Sequence, residues 1–290
     1  MKRLYWYITG LILMITCLTA YFINDERSTE TIIFFPIDKK AVFQSADTML
    51  IPQKLSKMRY DLQWRSYSET YKPAYLRQDV SLLFKNGRLE GVMKEWKENT
   101  NKLDQSRAFS LNESSIYEAI TFHYGEIHTA DSITSTQALS FDKKYMILSK
   151  LSGFDFFESP ITKEQKEWQL TLDNNKKAIT SLGWDEAVQK FSIPRSRYKE
   201  LPLTELSRQR TRFLSGIPES VQEEIIGKLW EGLYKNYVLG IKKENGTIIS
   251  PLGSTIPLLL LNHNKRELLV LLQAEDRTPI LLRQSLRYTP

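Results

Sequence analysis

Short apolar runs separated by turn residues dominate the stretch that follows the first 31 residues. The run Val80–Phe84 leads into Asn86 and Gly87, and a second run, Arg88–Trp96, follows them. Asn-Gly between two such runs predicts a β-hairpin, because a type I′ turn needs positive φ at both of its central residues. The segment Tyr117–His128 predicts a further strand, in the middle of its sheet.

Two polar segments interrupt this β pattern. The predicted hairpin ends at Trp96, just before the polar stretch Glu98–Asp104. The segment Ser132–Phe141 is rich in Ser and Thr, and we predict either a loop or an edge strand for it.

The spacing of apolar residues becomes helical near residue 160. Thr162 and Gln165 form a T-x-x-Q capping box at the start of a predicted helix that ends at Gly183. The strongest helical pattern covers Glu219–Leu239, with apolar residues every three or four positions. It lies between Pro218 and Gly240, the usual asymmetry of helix ends.

The C-terminal part of the chain returns to a β pattern. A second Asn-Gly pair, at Asn245 and Gly246, predicts another hairpin. The apolar runs 256–261, 267–273 and 280–286 predict a meander whose strands are covered on both faces. The order β, then α, then β predicts an α+β fold: mainly antiparallel sheet with a central run of helices, preceded by an N-terminal transmembrane helix.

That transmembrane helix is predicted from residues 4–23, which carry no charge. Twenty helical residues span about 30 Å, the hydrocarbon thickness of a bilayer. Lys2 and Arg3 precede the run, and the net acidic segment 25–27 follows it. The positive-inside rule then predicts a cytoplasmic N terminus and an extracytoplasmic location for residues 24–290.

The resulting organisation has four parts: a cytoplasmic N terminus (1–3), a transmembrane anchor (4–23), a tether (24–31) and an extracytoplasmic α+β domain (32–290). The predicted localisation is the cell membrane, with lipid contacted through residues 4–23. A cleaved signal peptide is the main alternative, but a cut after Ala20 would place Leu18 where a small residue is needed. A lipoprotein would use Cys17, and Thr16 stands where its motif needs a small residue.

Composition narrows the classes of function. The chain has 290 residues, of which 41 % are apolar, enough for a real hydrophobic core. Cys17 is its one cysteine, so the rest of the chain has no disulfide, thiolate nucleophile or cysteine metal site. A disulfide-free outer domain favours a bacterial envelope. A net charge of +6 is too small to argue for a nucleic-acid partner.

Candidate metal chemistry is confined to the predicted strand Tyr117–His128. On a strand, Glu126 and His128 share one face and His123 points to the other face. Glu126 and His128 are therefore candidate metal ligands, although a structural zinc site needs four. A hydrogen-bonded polar cluster or an exposed strand face explains the same residues. The sequence has no serine-hydrolase elbow, phosphate loop, dinucleotide fingerprint or EF-hand, and predicts no catalytic residue and no cofactor.

A basic stretch, 190–212, is the second candidate site. Seven basic residues against two acidic ones could meet anionic lipid head groups or an anionic polymer, or could line a solvated helix face. The predicted binding residues are Arg195, Arg197, Lys199, Arg208, Arg210 and Arg212.

The first functional hypothesis is a binding or regulatory envelope protein without enzymatic activity. Its partner would be another envelope protein or an anionic polymer. The second hypothesis is an envelope hydrolase or metal-dependent enzyme that uses the strand carrying Glu126 and His128.

Overall fold

Two very long strands joined by a tight turn, β2 (Tyr60–Lys85) and β3 (Arg88–Leu111), organise the computed structural model. Asn86 and Gly87 both have positive φ in the turn, which confirms the predicted hairpin. The structure describes residues 33–56, 59–149, 153–243 and 245–286, and the chain from Phe34 onward forms one unit.

The first sheet has six strands and only antiparallel pairs. The remaining four strands are β1 (Phe43–Lys54), β4 (Ser115–His128), β5 (Ile133–Ser149) and β6 (Gly153–Phe157). β3 pairs along one edge of β2. Along its other edge, β2 pairs first with β1 and then, after a register irregularity between Glu69 and Ala74, with β4. This change of partner curls the sheet into a half-barrel.

Strands β1 and β5 face each other along a seam, which is closed by side chains. The hydroxyl oxygens of Thr48 and Ser140 lie 2.6 Å apart, and the Leu50 amide donates to the Asp142 carboxylate at 2.7 Å. Apolar residues fill the half-barrel beside these contacts. The buried cluster consists of Leu50, Leu62, Trp64, Leu83, Met93, Leu111, Tyr117, Ala119 and Met146.

A second layer combines three helices with a four-stranded sheet. The helices are α1 (Lys163–Lys190), α2 (Leu206–Phe213) and α3 (Glu219–Leu233), and a π-helical turn, Tyr234–Val238, follows α3. The sheet consists of β7 (Tyr198–Pro202), β10 (Leu258–Asn262), β11 (Glu267–Gln273) and β12 (Pro279–Ser285), in the order β12-β11-β10-β7. A small hairpin pairs β8 (Ile241–Lys242) with β9 (Ile248–Ile249), and short 3-10 turns cover Arg195–Arg197 and Leu203–Glu205.

Several local predictions in this half of the chain are confirmed. Thr162 and Gln165 form both hydrogen bonds of the capping box at the start of α1. The three-stranded meander and the second hairpin form where the apolar runs indicate them. The predicted helix end at Gly183 is wrong, because α1 continues to Lys190. Gly183 instead lets α1 approach β11: a Cβ there would lie 3.0 Å from the Gln273 Cβ.

The predicted α+β class is wrong. The protein is mostly antiparallel β, with 52 % strand and 25 % helix. The polar segment Glu98–Asp104 is strand, and so is Ser132–Phe141 after its first residue, as its strand alternative predicted, because backbone pairing satisfies the amides and carbonyls whatever the side chains are. Among the described residues, no helix has the length and apolarity to cross a membrane. The predicted class, a single-pass α+β membrane protein, is thus corrected to a mainly β protein. The predicted transmembrane span, 4–23, lies outside the described residues.

Candidate functional site

A groove of about 390 Å³ runs beside strand β12, which forms one end of the four-stranded sheet. The end strand of a sheet presents backbone N–H and C=O groups on the side that lacks a neighbour. The opposite wall comes from the end of α1, the π-helical turn and the β8–β9 hairpin. The lining consists of Lys190, Phe191, Asn236, Ile241, Lys242, Lys243, Asn245, Thr278, Pro279, Ile280, Leu281 and Leu282.

The groove is apolar at its base and positively charged at its rim. Ile280, Leu281 and Leu282 are half-buried along the strand, whereas Lys190 and Lys242 are exposed. Lys243, the third lysine of the described lining, is paired with the carboxylate of Asp276. Such a surface is complementary to an extended, acidic chain with apolar side chains on one face.

An ion pair fixes the β8–β9 wall relative to β12. The Lys243 ammonium donates to the Asp276 carboxylate, in the turn between β11 and β12. This hydrogen bond lowers the pKa of Asp276 to about 2, and the amide and hydroxyl of Thr278 add to the effect. The carboxylate therefore stays ionised over the whole physiological pH range.

The helix α3 covers the far end of β12. There the Gln284 side-chain amide donates to the Ile225 carbonyl at 3.3 Å. The accessible part of the edge is therefore Pro279–Arg283, five residues, or roughly 17 Å of strand.

A second polar feature is buried inside the half-barrel around Arg77, Asp79 and His123. The side chains of all three have zero exposure. The Asp79 carboxylate accepts hydrogen bonds from Ser68 and from the Tyr124 amide, lies 3.1 Å from His123 Nδ1, and lies 3.6 Å from Arg77 Nη2. Burial alone raises the pKa of Asp79, but the hydrogen bond to His123 and the charges of His123 and Arg77 outweigh it. Asp79 therefore has a pKa below its ordinary value.

This low pKa predicts how acid acts on the protein. A carboxylate whose folded-state pKa lies below its unfolded value of 3.8 adds stability above that value, and the stability is lost as the pH falls through the folded-state pKa. We expect Asp79→Asn to flatten the decline in the free energy of unfolding between about pH 5 and pH 2. Urea titrations at each pH measure this slope, and equal slopes in variant and wild type would contradict the expectation.

Glu126 and His128 lie together at the rim of the half-barrel. His128 Nε2 is 3.1 Å from Glu126 Oε2, and the Tyr75 ring stacks on the imidazole with centroids 3.7 Å apart. Across the described ranges, no group of three or more His, Cys, Asp or Glu side chains could hold a metal ion. The two residues are thus brought together as a hydrogen-bonded pair, and their role as metal ligands stays a prediction.

The structure divides the basic stretch among several elements. Arg195 is neutralised by Asp185 and Glu200, and Arg208 by Glu205 while it lies over the Phe141 ring. Lys199 and Arg212 line one polar cavity of about 470 Å³, together with Glu200. Arg197 is exposed and Arg210 is half-buried. The six predicted binding residues therefore do not form one continuous basic face, and their role in binding stays a prediction.

Sequence reasoning did not find either the groove or the buried cluster. The groove has a weak signal, since Lys242 and Lys243 lie in a hairpin and the final apolar run must form one end of its meander. The buried cluster also has a weak sequence signal, since Arg77 and Asp79 are two residues apart and share one face of a strand. The strand pattern predicts that their partner His123 faces away from Glu126, but it gives His123 no role.

Comparison with known proteins adds little to this geometry. No family model matches the chain, and no curated protein matches it. Among solved structures, the chain is similar to a glycosyl hydrolase family 2 member from Bacteroides cellulosilyticus, with 11 % identity and a TM-score of 0.23. That similarity covers 40 % of this chain and 17 % of the other. It is too weak to assign a fold or a function.

Proposed function

We propose that this protein is a binding protein that takes up an extended acidic segment of a partner protein as an additional strand beside β12. The observation that supports the proposal most is the groove along Pro279–Arg283, with its apolar base and lysine rim. A segment of about five residues would fill the accessible edge. This is recognition by strand addition, in which backbone hydrogen bonds supply affinity and alternate side chains supply specificity.

The chemistry of the groove defines the preferred segment. Residues of an added strand point alternately to its two faces, so apolar residues at every second position would contact the apolar side chains on one face of β12. Acidic residues between them would face Lys190 and Lys242. We therefore expect an alternating sequence of Glu or Asp with Val or Ile to bind best.

The proposal gives a specific form to the envelope-protein partner predicted from the sequence. An anionic polymer, the other predicted partner, would satisfy the lysines but not the strand edge. The cell-membrane localisation, with residues 24–290 outside, stays a prediction, and the groove proposal does not depend on it.

Charge removal at the rim is the first test. We expect a fluorescein-labelled acidic peptide of alternating Glu and Val to bind the full chain, with affinity about fivefold lower when Lys190 and Lys242 are changed together to Ser. Lys243 is kept, because its ion pair with Asp276 holds the hairpin. Two rim charges at about 0.5 kcal/mol each account for this factor at low salt. Fluorescence anisotropy gives the dissociation constants. The matched control changes two exposed lysines of α1 (Lys163 and Lys166) to Ser and should bind as the wild type does.

The same assay separates strand addition from simple attraction of a polyanion. A peptide N-methylated at alternate residues loses the amides on one edge only. We expect one of the two methylation patterns to abolish binding and the other to preserve it. Equal binding of both patterns, or equal loss in both double-lysine variants, would refute strand addition at β12.

A further inference from the structure

A polar cavity of about 470 Å³ lies where the end of α2 meets strand β7. β7 is the end strand of the four-stranded sheet opposite to β12, so this cavity is separate from the groove described above. Its described lining is mostly polar and includes Lys199, Glu200, Gln209, Arg212 and Ser215. A cavity of this size is typical of sites for small molecules.

Three basic side chains surround the corner that follows α2. The Lys199 ammonium donates to the Ser215 hydroxyl at 2.9 Å. The Lys265 ammonium, from the turn between β10 and β11, donates to the Gly216 carbonyl at 2.9 Å. Arg212 lines the cavity from the last turn of α2. Within the part of the chain that the structure describes, none of the three is paired with a carboxylate.

Most hydrogen-bond donors of these side chains remain available to a ligand. A lysine ammonium has three N–H groups and a guanidinium has five. Lys199 and Lys265 each use one in the described contacts, and the Arg212 guanidinium uses none. The Ser215 hydroxyl accepts from Lys199, so its own hydrogen is available as well. Such a set of charged donors is complementary to a group that carries several anionic oxygens.

The acidic side chains near the cavity do not cancel this positive charge. Glu200, the carboxylate of the described lining, accepts two hydrogen bonds from the Arg195 guanidinium, which also pairs with Asp185. Four basic side chains therefore stand against two acidic ones. The two-point contact also fixes the Glu200 carboxylate, whose other lone pairs can accept hydrogen bonds from ligand hydroxyl groups.

We propose that this cavity binds a small, soluble phosphate ester, whose phosphate is held by Lys199, Arg212 and Ser215. A phosphate monoester carries about −1.5 to −2 charges at neutral pH and three acceptor oxygens. The planar guanidinium fork can contact two of these oxygens, and the ammonium and the hydroxyl can contact the third. Hydroxyl groups on the rest of the ligand would face Glu200 and Gln209. The site does not depend on strand addition at β12.

The shape of the site favours a soluble ester over a lipid head group with the same phosphate chemistry. A membrane surface would need a continuous basic face, and the basic residues of the stretch 190–212 do not form one. Of that stretch, Lys199 and Arg212 are the basic residues in the described lining of the cavity. A ligand that fits inside the cavity meets both of them at once.

Isothermal titration calorimetry with glycerol 3-phosphate at low salt tests the proposal on the full chain. We expect one site per chain. Changing Lys199 and Arg212 together to Gln should weaken binding about tenfold, because the phosphate loses charge-assisted hydrogen bonds to both side chains. Glycerol, which lacks the phosphate, should give no binding heat.

The matched control changes Arg197 and Arg210 together to Gln. It removes the same charge from the same stretch, but neither residue is in the described lining, and Arg210 lies about 200° around α2 from Arg212. This variant should bind as the wild type does, and circular dichroism establishes that each variant is folded. Vesicles of phosphatidylcholine with phosphatidic acid should not sediment the protein through this site. No binding by the folded wild type, equal loss in both double variants, or binding to the vesicles without binding of glycerol 3-phosphate would overturn the proposal.

Discussion

Replacing Asp79 with Ala is expected to lower the free energy of unfolding by about 3–5 kcal/mol, because breaking a buried ion pair leaves an uncompensated charge. The variant would leave the Arg77 guanidinium without its carboxylate in a site of zero exposure. The guanidinium would keep hydrogen bonds to three neutral oxygen acceptors, including the Asn101 carbonyl, but it would have no charged partner. His123 and Ser68 would lose an acceptor at the same time. Urea unfolding followed by circular dichroism measures the change.

An exposed ion pair provides the matched control. Arg65 and Asp104 make a two-point contact between β2 and β3, but their side chains are 36 % and 48 % exposed. Asp104→Ala should therefore cost less than about 1 kcal/mol. A loss at Asp79 no larger than the loss at Asp104 would show that the buried cluster is not a stabilising centre.

Trp64→Ala should have a destabilising effect of similar size, about 3–5 kcal/mol, because it leaves a large cavity in a packed core. The Trp64 side chain is fully buried, packs against the Phe109 ring, and donates from its indole N–H to the Ser81 hydroxyl at 3.1 Å. A Cβ on Gly91 would lie only 3.1 Å from the indole, so the backbone of β3 already packs closely against this ring. We therefore expect the cavity left by the Trp64 side chain to stay largely unfilled.

Differential scanning calorimetry on the same variants checks this expectation. Trp96→Ala is the control, because the Trp96 side chain is 53 % exposed and its removal should change stability by no more than about 0.5 kcal/mol. Comparable effects at the two tryptophans would contradict the packing argument.

Local features of this fold could be predicted from the sequence, because they depend on local chemistry. Asn86 and Gly87 form the turn because few other residues accept positive φ, and Thr162 caps α1 because its hydroxyl reaches the Gln165 amide. The long strands could not be predicted. Their polar residues break the period-two pattern, and their pairing is decided by neighbours far away in the sequence, such as Ser68 opposite Leu103.

The candidate sites were harder to predict for a related reason. The sequence indicates His128 as a candidate because Glu126 is two residues away. In the fold, however, His123 is the histidine that is buried and contacts polar side chains from two other strands. Asp79 is 44 positions from His123, and Ser140 lies on yet another strand. The groove needs β12 to be an end strand and the β8–β9 hairpin to lie opposite it, and neither placement leaves a pattern in the local sequence.

The long β2–β3 hairpin also bears on how the chain folds. Its residue pairs extend outward from Lys85 and Arg88 at the turn to Tyr60 and Leu111 at the far end. Each new pair closes only a small additional loop, so we expect the ribbon to zip up early from the turn. The seam between β1 and β5 joins positions about 90 residues apart, such as Thr48 and Ser140, and lacks backbone pairing. It is then the last part of the half-barrel to close and the first to open.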